Sequence, residues 1–98
     1  VKIKFLQSAE LELGEAIEYY ETKETGLGFK LFDEVWAAIE RIQQYPKAWQ
    51  IISPRTRRCQ TRRFPYGIIY QIRENDDEIL IVAVAHLHQR PGYWRNRI

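Results

Sequence analysis

The run Glu78–His86, EILIVAVAH, constrains the fold more than any other part of the chain. It stays apolar at consecutive positions through Ala85, so neither of its faces can be left in water. A strand of that kind sits in the middle of a sheet, with material packed on both sides. The chain has only 98 residues with which to supply that cover, which is the length of a single domain, 1–98. A chain of this size buries roughly 60–70% of the surface its unfolded form exposes.

The cover is legible upstream. Val1–Phe5 alternates apolar and polar, the period of a strand, and its place is expected in the sheet beside the last strand. Ser8 is a suitable helix N-cap, with Glu10 and Glu12 in the first turn where the helix dipole favours them. Ala9, Leu13, Ala16, Ile17 and Tyr20 then share one face of an amphipathic helix. Thr25–Gly28 breaks that pattern. A second helix starts near Gly28, carries Phe29, Phe32, Val35, Trp36, Ile39 and Ile42 as its apolar face, and ends at Pro46. A short glycine-bearing link between two such helices makes an antiparallel hairpin. Lys47–Pro54 reads as irregular, with Trp49 as an anchor. Arg58–Phe64 reads as a polar strand, Phe64-Pro65-Tyr66 as a bend, Gly67–Arg73 as a strand and Glu74–Asp77 as a turn. The expected order is β-α-α-β-β-β. The class is α+β, with the helical hairpin on one face of a curved, largely antiparallel, four-stranded sheet.

Charge is distributed unevenly. Residues 1–50 hold all five lysines and one arginine, whereas residues 51–98 hold nine arginines and no lysine. A guanidinium fork bonds both oxygens of a carboxylate or phosphate at once, so a surface rich in arginine suits an anionic partner. The single cysteine, Cys59, forbids an intramolecular disulfide. No apolar run approaches the ~18 residues that span a bilayer, and no signal peptide opens the sequence. The expectation is a cytoplasmic protein with no membrane partner.

Three constellations carry candidate chemistry. In PRTRRCQTRRFPYG, residues 54–67, five arginines fall within nine positions: Arg55, Arg57, Arg58, Arg62 and Arg63. On a strand over 58–64, Arg58 and Arg62 would share one face and Arg63 the other. Such a strip fits nucleic-acid phosphates or an acidic peptide at the sheet edge, while the plain alternative is a charged edge that blocks aggregation. His86 and His88 follow the last strand, suited either to acid–base work or to ordering the bend by local hydrogen bonds. A metal would need a third ligand, and neither an HExxH pattern nor a second cysteine is present, so no metal or other cofactor is expected. Arg90-Pro91-Gly92-Tyr93-Trp94 is a turn followed by two aromatics. One should pack on the sheet, and the other should stay half-exposed.

These segments also carry a resemblance. Ala9–Glu21, GLGFKLFDEV at 26–35, RRFPYGIIYQI at 62–72 and AVAHLHQRPGYW at 83–94 resemble the RelE/ParE superfamily of type II toxin–antitoxin toxins, and the ending looks more like the ParE branch. The resemblance implies a helical hairpin on a curved antiparallel sheet, and a toxin held inactive by a cognate antitoxin in a possible hetero-oligomer. RelE-like members cut mRNA on the ribosome, whereas ParE-like members poison DNA gyrase and are not enzymes. RelE-like enzymes place an arginine after the aromatic that opens the strand beyond the bend. Here that aromatic is Tyr66 and the next residue is Gly67. A second catalytic arginine falls on Leu87, and Tyr93 matches a functional aromatic. Missing cationic donors each cost ~2.7–4 kcal/mol of barrier, so the resemblance favours a gyrase inhibitor over an enzyme. Arg57, Arg58, Arg62, Arg63, Arg90, Tyr93, Trp94 and Arg95 are expected to meet antitoxin and target. Were the chain a ribonuclease, His86, His88, Arg62, Arg63 and Tyr93 would carry catalysis; a further alternative is a degenerate toxin that only binds its antitoxin. A structure gathering two guanidiniums and an imidazole around one pocket would reverse the preference.

Overall fold

The computed structural model describes residues 1–98. β1 (Lys2–Phe5) leads into α1 (Gln7–Lys23) and α2 (Leu27–Gln44). β2 (Gln50–Ser53), β3 (Thr56–Gln60), β4 (Tyr66–Arg73) and β5 (Glu78–His86) follow. The sheet has five strands in the order β1-β5-β4-β3-β2, one more than the four expected. The addition is β2, inside the stretch read as irregular. Its QIIS sequence shows no alternation of burial, and Ile51 is exposed, so only its pairing with β3 makes it a strand. β1 runs parallel to β5 at the opposite edge, and all other pairings are antiparallel.

β5 is buried from Ile79 to Ala85. Between the pairs Ile69↔Ala83 and Tyr70↔Ile81, Val82 is an extra residue. This bulge resets the alternation of side chains. Ile79, Ile81 and Val84 therefore face the helices, while Leu80, Val82, Ala83 and Ala85 form a second apolar cluster with Ile69 and Trp94. One face of β5 is covered by α1 and α2. The other is covered by the C-terminal segment.

Two details of the hairpin depart from sequence expectation. α1 starts at Gln7 with Leu6 at the N-cap and no side-chain cap, so Ser8 does not cap it. The Leu6 N–H still bonds Ile81 O at 3.0 Å as the last rung beside β5, while Leu6 O accepts from Ala9 and Glu10. The end of the parallel ladder, rather than a hydroxyl, sets the start of the helix. On α2 the buried face is Leu31, Val35, Ala38, Ile39 and Ile42, whereas Phe29 and Phe32 are 71% and 40% exposed. Aliphatic and small side chains fit the interhelical and helix–sheet gaps, and the bulky rings are turned to the flank. At the helix junction, a Cβ on Gly28 would lie 2.6 Å from Ile17 O, so only glycine allows this approach. The Glu21 carboxylate accepts from the Gly26 and Gly28 N–H groups at 2.8 and 2.9 Å, capping α2 from the preceding helix.

Candidate functional site: a cationic cleft under the C-terminal bend

On the face of the sheet away from the helices, the C-terminal segment folds back over β4 and β5. Leu87 N–H bonds Pro65 O at 2.8 Å, and His86 N–H bonds Gln89 Oε1 at 2.9 Å, which turns the chain at the strand end. Gly92 takes a positive φ of 78° in the Pro-Gly turn. Trp94 then drops into the second apolar cluster and is buried, while Tyr93 is half-buried beside it. This is the division expected of the two aromatics.

The fastening of that segment joins residues far apart in the sequence. Glu12 of α1 accepts from Arg97 Nη1 and Nη2 at 2.8 and 2.9 Å, from Tyr93 Oη at 2.6 Å and from Val84 N–H at 3.0 Å. Arg97 Nη1 also donates to Val82 O at 3.1 Å. β1 stops pairing at Phe5↔Ile81, so Val82 O and Val84 N are strand-edge groups that β1 no longer reaches. The Glu12–Arg97 pair takes the place of a strand there. The bond to Glu12 raises the Arg97 pKa further above its usual value. Burial, then the bond and charge of Glu12, pushes the Tyr93 phenol well above its usual range. A signal for Glu12 existed: it sits three residues after Ala9 and four before Ala16, on the buried side of α1.

Between this segment and the sheet lies a cleft of about 170 Å³. Arg58, His86, Leu87, Arg90, Tyr93, Trp94 and Arg95 are among its lining residues. Gly67 makes room for Arg58, because a Cβ there would come 2.8 Å from Arg58 Cδ. The stem of a β3 arginine thus lies over the position at which the RelE-like pattern has its own arginine. Three guanidiniums and an imidazole border one cleft, which is the arrangement named above as favouring an enzyme. Their functional groups are partly engaged. Arg58 Nη2 donates to Gln50 Oε1 at 2.8 Å, although its Nε is buried without a partner. The Arg95 guanidinium lies 5.8 Å from the Trp94 ring centre. His86 Nδ1 accepts the His88 N–H at 3.1 Å, and the His86 ring meets Tyr66 edge-on at 5.2 Å. Local ordering of the bend is thereby one established role of His86. His88 is exposed beyond the strand end.

The arginine strip of residues 55–63 does not form one surface. β3 ends at Gln60, so Arg62 and Arg63 lie on the following bend, and Arg62 does not share a strand face with Arg58. Arg62 N–H bonds Glu34 of α2 at 3.1 Å, on the helix side, opposite to Arg58. Arg57 Nη1 donates to Lys47 O and Trp49 O at 2.8 and 3.0 Å, holding the α2–β2 connection. Cys59 is buried, and burial raises its thiol pKa against the lowering influence of Arg41 and Arg62.

No helix of the chain is long and apolar enough to cross a membrane. No curated protein sequence is similar enough to this chain to count as a relative. A solved structure described as "Chromosomal ParDE TA system from P. aeruginosa" superposes with a TM-score of 0.73 at 16% identity, covering 90% of this chain and 97% of that one. At that identity the likeness shows a shared fold. The family described as "ParE toxin of type II toxin-antitoxin system, parDE" matches residues 3–91. With the match running from β1 through the strands to the C-terminal bend, this chain belongs to the ParE toxin family.

Proposed function

We propose that the chain is the toxin of a type II toxin–antitoxin pair, neutralised by a cognate antitoxin and acting by binding a DNA gyrase-type topoisomerase. The observation that carries this reading is the family match over residues 3–91. Two features of the bend agree with it. The position after Tyr66 is Gly67, and the Tyr93 hydroxyl is committed to Glu12. The target-facing residues are Arg58, Arg90 and Arg95 at the cleft, with Tyr93 and Trp94 as their support. The antitoxin is expected to lay an apolar segment on the exposed rings of Phe29 and Phe32. Trp36 continues that patch, with ring centres 6.2 Å from Phe32 and 6.0 Å from Phe5. Acidic residues of the antitoxin would meet Arg62 and Arg63 on their exposed bend. An exposed aromatic face that folding did not need to bury is a usual mark of a partner surface. Purified toxin should inhibit gyrase supercoiling and leave mRNA on translating ribosomes intact. Full supercoiling at saturating toxin would count decisively against the topoisomerase target.

A second reading rests on the cleft itself, which meets the arrangement set out above as reversing the preference. The binding reading stays first because the family match is to the ParE toxin and because Arg58 Nη2, His86 Nδ1 and the Tyr93 hydroxyl are already engaged within the fold. Arg58, Arg90 and Arg95 around His86 are the residue types that cleavage by an RNA's own 2′-hydroxyl requires, with cations for the phosphorane and an imidazole for proton transfer. Under that reading, primer extension on translating ribosomes reveals discrete cuts, abolished by His86→Ala without loss of fold.

A further inference from the structure

At the end of the sheet opposite the C-terminal bend, β3 and β4 part company. β4 pairs with β5 as far as Arg73, but with β3 only as far as Tyr70. Gln71, Ile72 and Arg73 therefore have a strand on one side only. β3 cannot continue beside them. The chain before Thr56 turns away through Ser53-Pro54-Arg55 into β2, and Pro54 has no N–H to offer a ladder. The space left is a cleft of about 660 Å³, bordered by the β2–β3 turn and by Arg73–Asp76.

Its chemistry is cationic. Lys47, Arg55, Arg57 and Arg73 line it, against the carboxylates of Glu74 and Asp76. Glu74 is already 3.2 Å from Lys47 Nζ, Arg73 Nη1 lies 4.0 Å from Glu78 Oε1, and Arg57 is held by Lys47 O and Trp49 O, so Arg55 is the cation least engaged within the fold. Arg55 is exposed and takes part in none of the ion pairs of the fold. Gln71 adds a second, independent mark. It is only 3% exposed, its Oε1 accepts from Arg73 Nε at 2.9 Å, and its Nε2 donates to nothing. An amide that is buried and unpaired is costly to a fold, and a lining residue in that state suits a site where an acceptor arrives from outside.

We propose that this cleft is a docking site for an extended acidic peptide segment of a partner protein, added as a strand along Gln71–Arg73 with its carboxylates against Arg55 and Arg73. The open edge supplies main-chain pairing, and the cations select the side chains. A nucleic acid fits less well, because a phosphodiester chain cannot pair with a strand edge. The site shares no lining residue with the cleft at His86, although Ser53–Arg55 also border Trp94 and Arg95; the response at Gln71–Arg73 separates it from the toxin reading.

The test uses the full chain, ¹⁵N-labelled, titrated with a capped hexapeptide of alternating glutamate and valine. Controls are the lysine–valine counterpart and a 20-base-pair DNA duplex. Amide shifts at Gln71–Arg73 and the Gln71 side-chain NH₂ should move with the acidic peptide alone. Arg55→Glu, at an exposed turn where folding is not at stake, should weaken the effect at least tenfold. N-methylation of alternate peptide amides should weaken it as well. No shift at these residues, shifts indifferent to Arg55→Glu, or a stronger response to the DNA duplex would each overturn the proposal.

Discussion

Replacing Glu12 with alanine should destabilise the chain far more than its position on an ordinary amphipathic helix suggests. The carboxylate receives four hydrogen bonds from three residues. Its side chain and that of Arg97 are only 18% and 21% exposed. Removing it leaves the Val84 N–H without an acceptor at a strand edge and the Tyr93 hydroxyl unpaired. It also leaves the Arg97 guanidinium with only Val82 O. Orphaning one partner of a buried ion pair costs about 3–5 kcal/mol. Arg97 is partly exposed and can swing toward water, which lowers the figure to about 2–4 kcal/mol. For a chain of this size each kcal/mol shifts Tm by roughly 4–8 °C, so a drop of about 8 °C or more is expected.

The partner substitution is the sharper measurement. Arg97→Ala leaves Glu12 two neutral donors and access to solvent, and should cost about 1–2 kcal/mol. In the double variant Arg97 is no longer stranded, so the two losses should not add; the coupling should exceed about 1 kcal/mol. Urea unfolding followed by tryptophan fluorescence reads this directly, because Trp94 is buried under the same segment. A Glu12→Ala loss below about 1 kcal/mol, or strict additivity in the cycle, would show that the latch contributes nothing beyond its separate bonds, and the reasoning would fail.

Other outcomes follow from the same packing. Gly28→Ala should destabilise by about 1–3 kcal/mol, because the new Cβ would lie 2.6 Å from the Ile17 backbone oxygen and the helices must separate; unchanged urea unfolding would refute this. Tyr66 and Tyr70 have pKa values pushed up to about 12 from 10.0, mainly by burial. Their folded-state values exceed the unfolded ones, so the stability they confer is whole below pH 10 and lost as the pH rises toward 12. An alkaline unfolding transition in that window, monitored by tyrosinate absorbance together with circular dichroism, is expected. Cys59, buried and with a raised pKa, should resist thiol reagents at pH 8 until denaturant is added.

What could be read in the sequence depended on whether a residue's role was local. Glu78–His86 announced itself by hydrophobicity alone, and the strand has those bounds. β1 beside β5, the helical hairpin and the burial of Ala9, Leu13 and Ala16 followed from period and punctuation. β2 was invisible because four residues with an exposed Ile51 carry no pattern; a neighbour makes them a strand. The arginines depart from the sequence pattern for a related reason. Treating residues 58–64 as a strand put Arg62 beside Arg58, but β3 ends at Gln60 and the sign of the alternation is lost in the bend. Phe29 and Phe32 share the apolar pattern of α2, yet the face that packs is Leu31, Val35, Ala38, Ile39 and Ile42, and the rings stay exposed. Glu12 with Arg97 joins residues that sequence proximity could never pair.

The C-terminal bend holds reactive and adhesive side chains together because it serves two ends at once. Trp94, Tyr93 and Arg97 face inward and finish the apolar layer that β5 demands on its second side. Arg90 and Arg95, on either side of the two aromatics, are exposed where they border the cleft and form the outward set. The inward set fixes the position of the outward set. A partner that grips Arg90 and Arg95 therefore reads a surface whose geometry depends on Glu12, more than eighty residues away in sequence. Loosening the latch should then weaken target binding even though Glu12 lies outside the cleft. Arg90→Ala should do the opposite in kind, reducing binding while leaving unfolding in urea unchanged. That separation between a stability effect and a binding effect, measured on two variants of one segment, distinguishes a supported recognition surface from a terminus that merely packs.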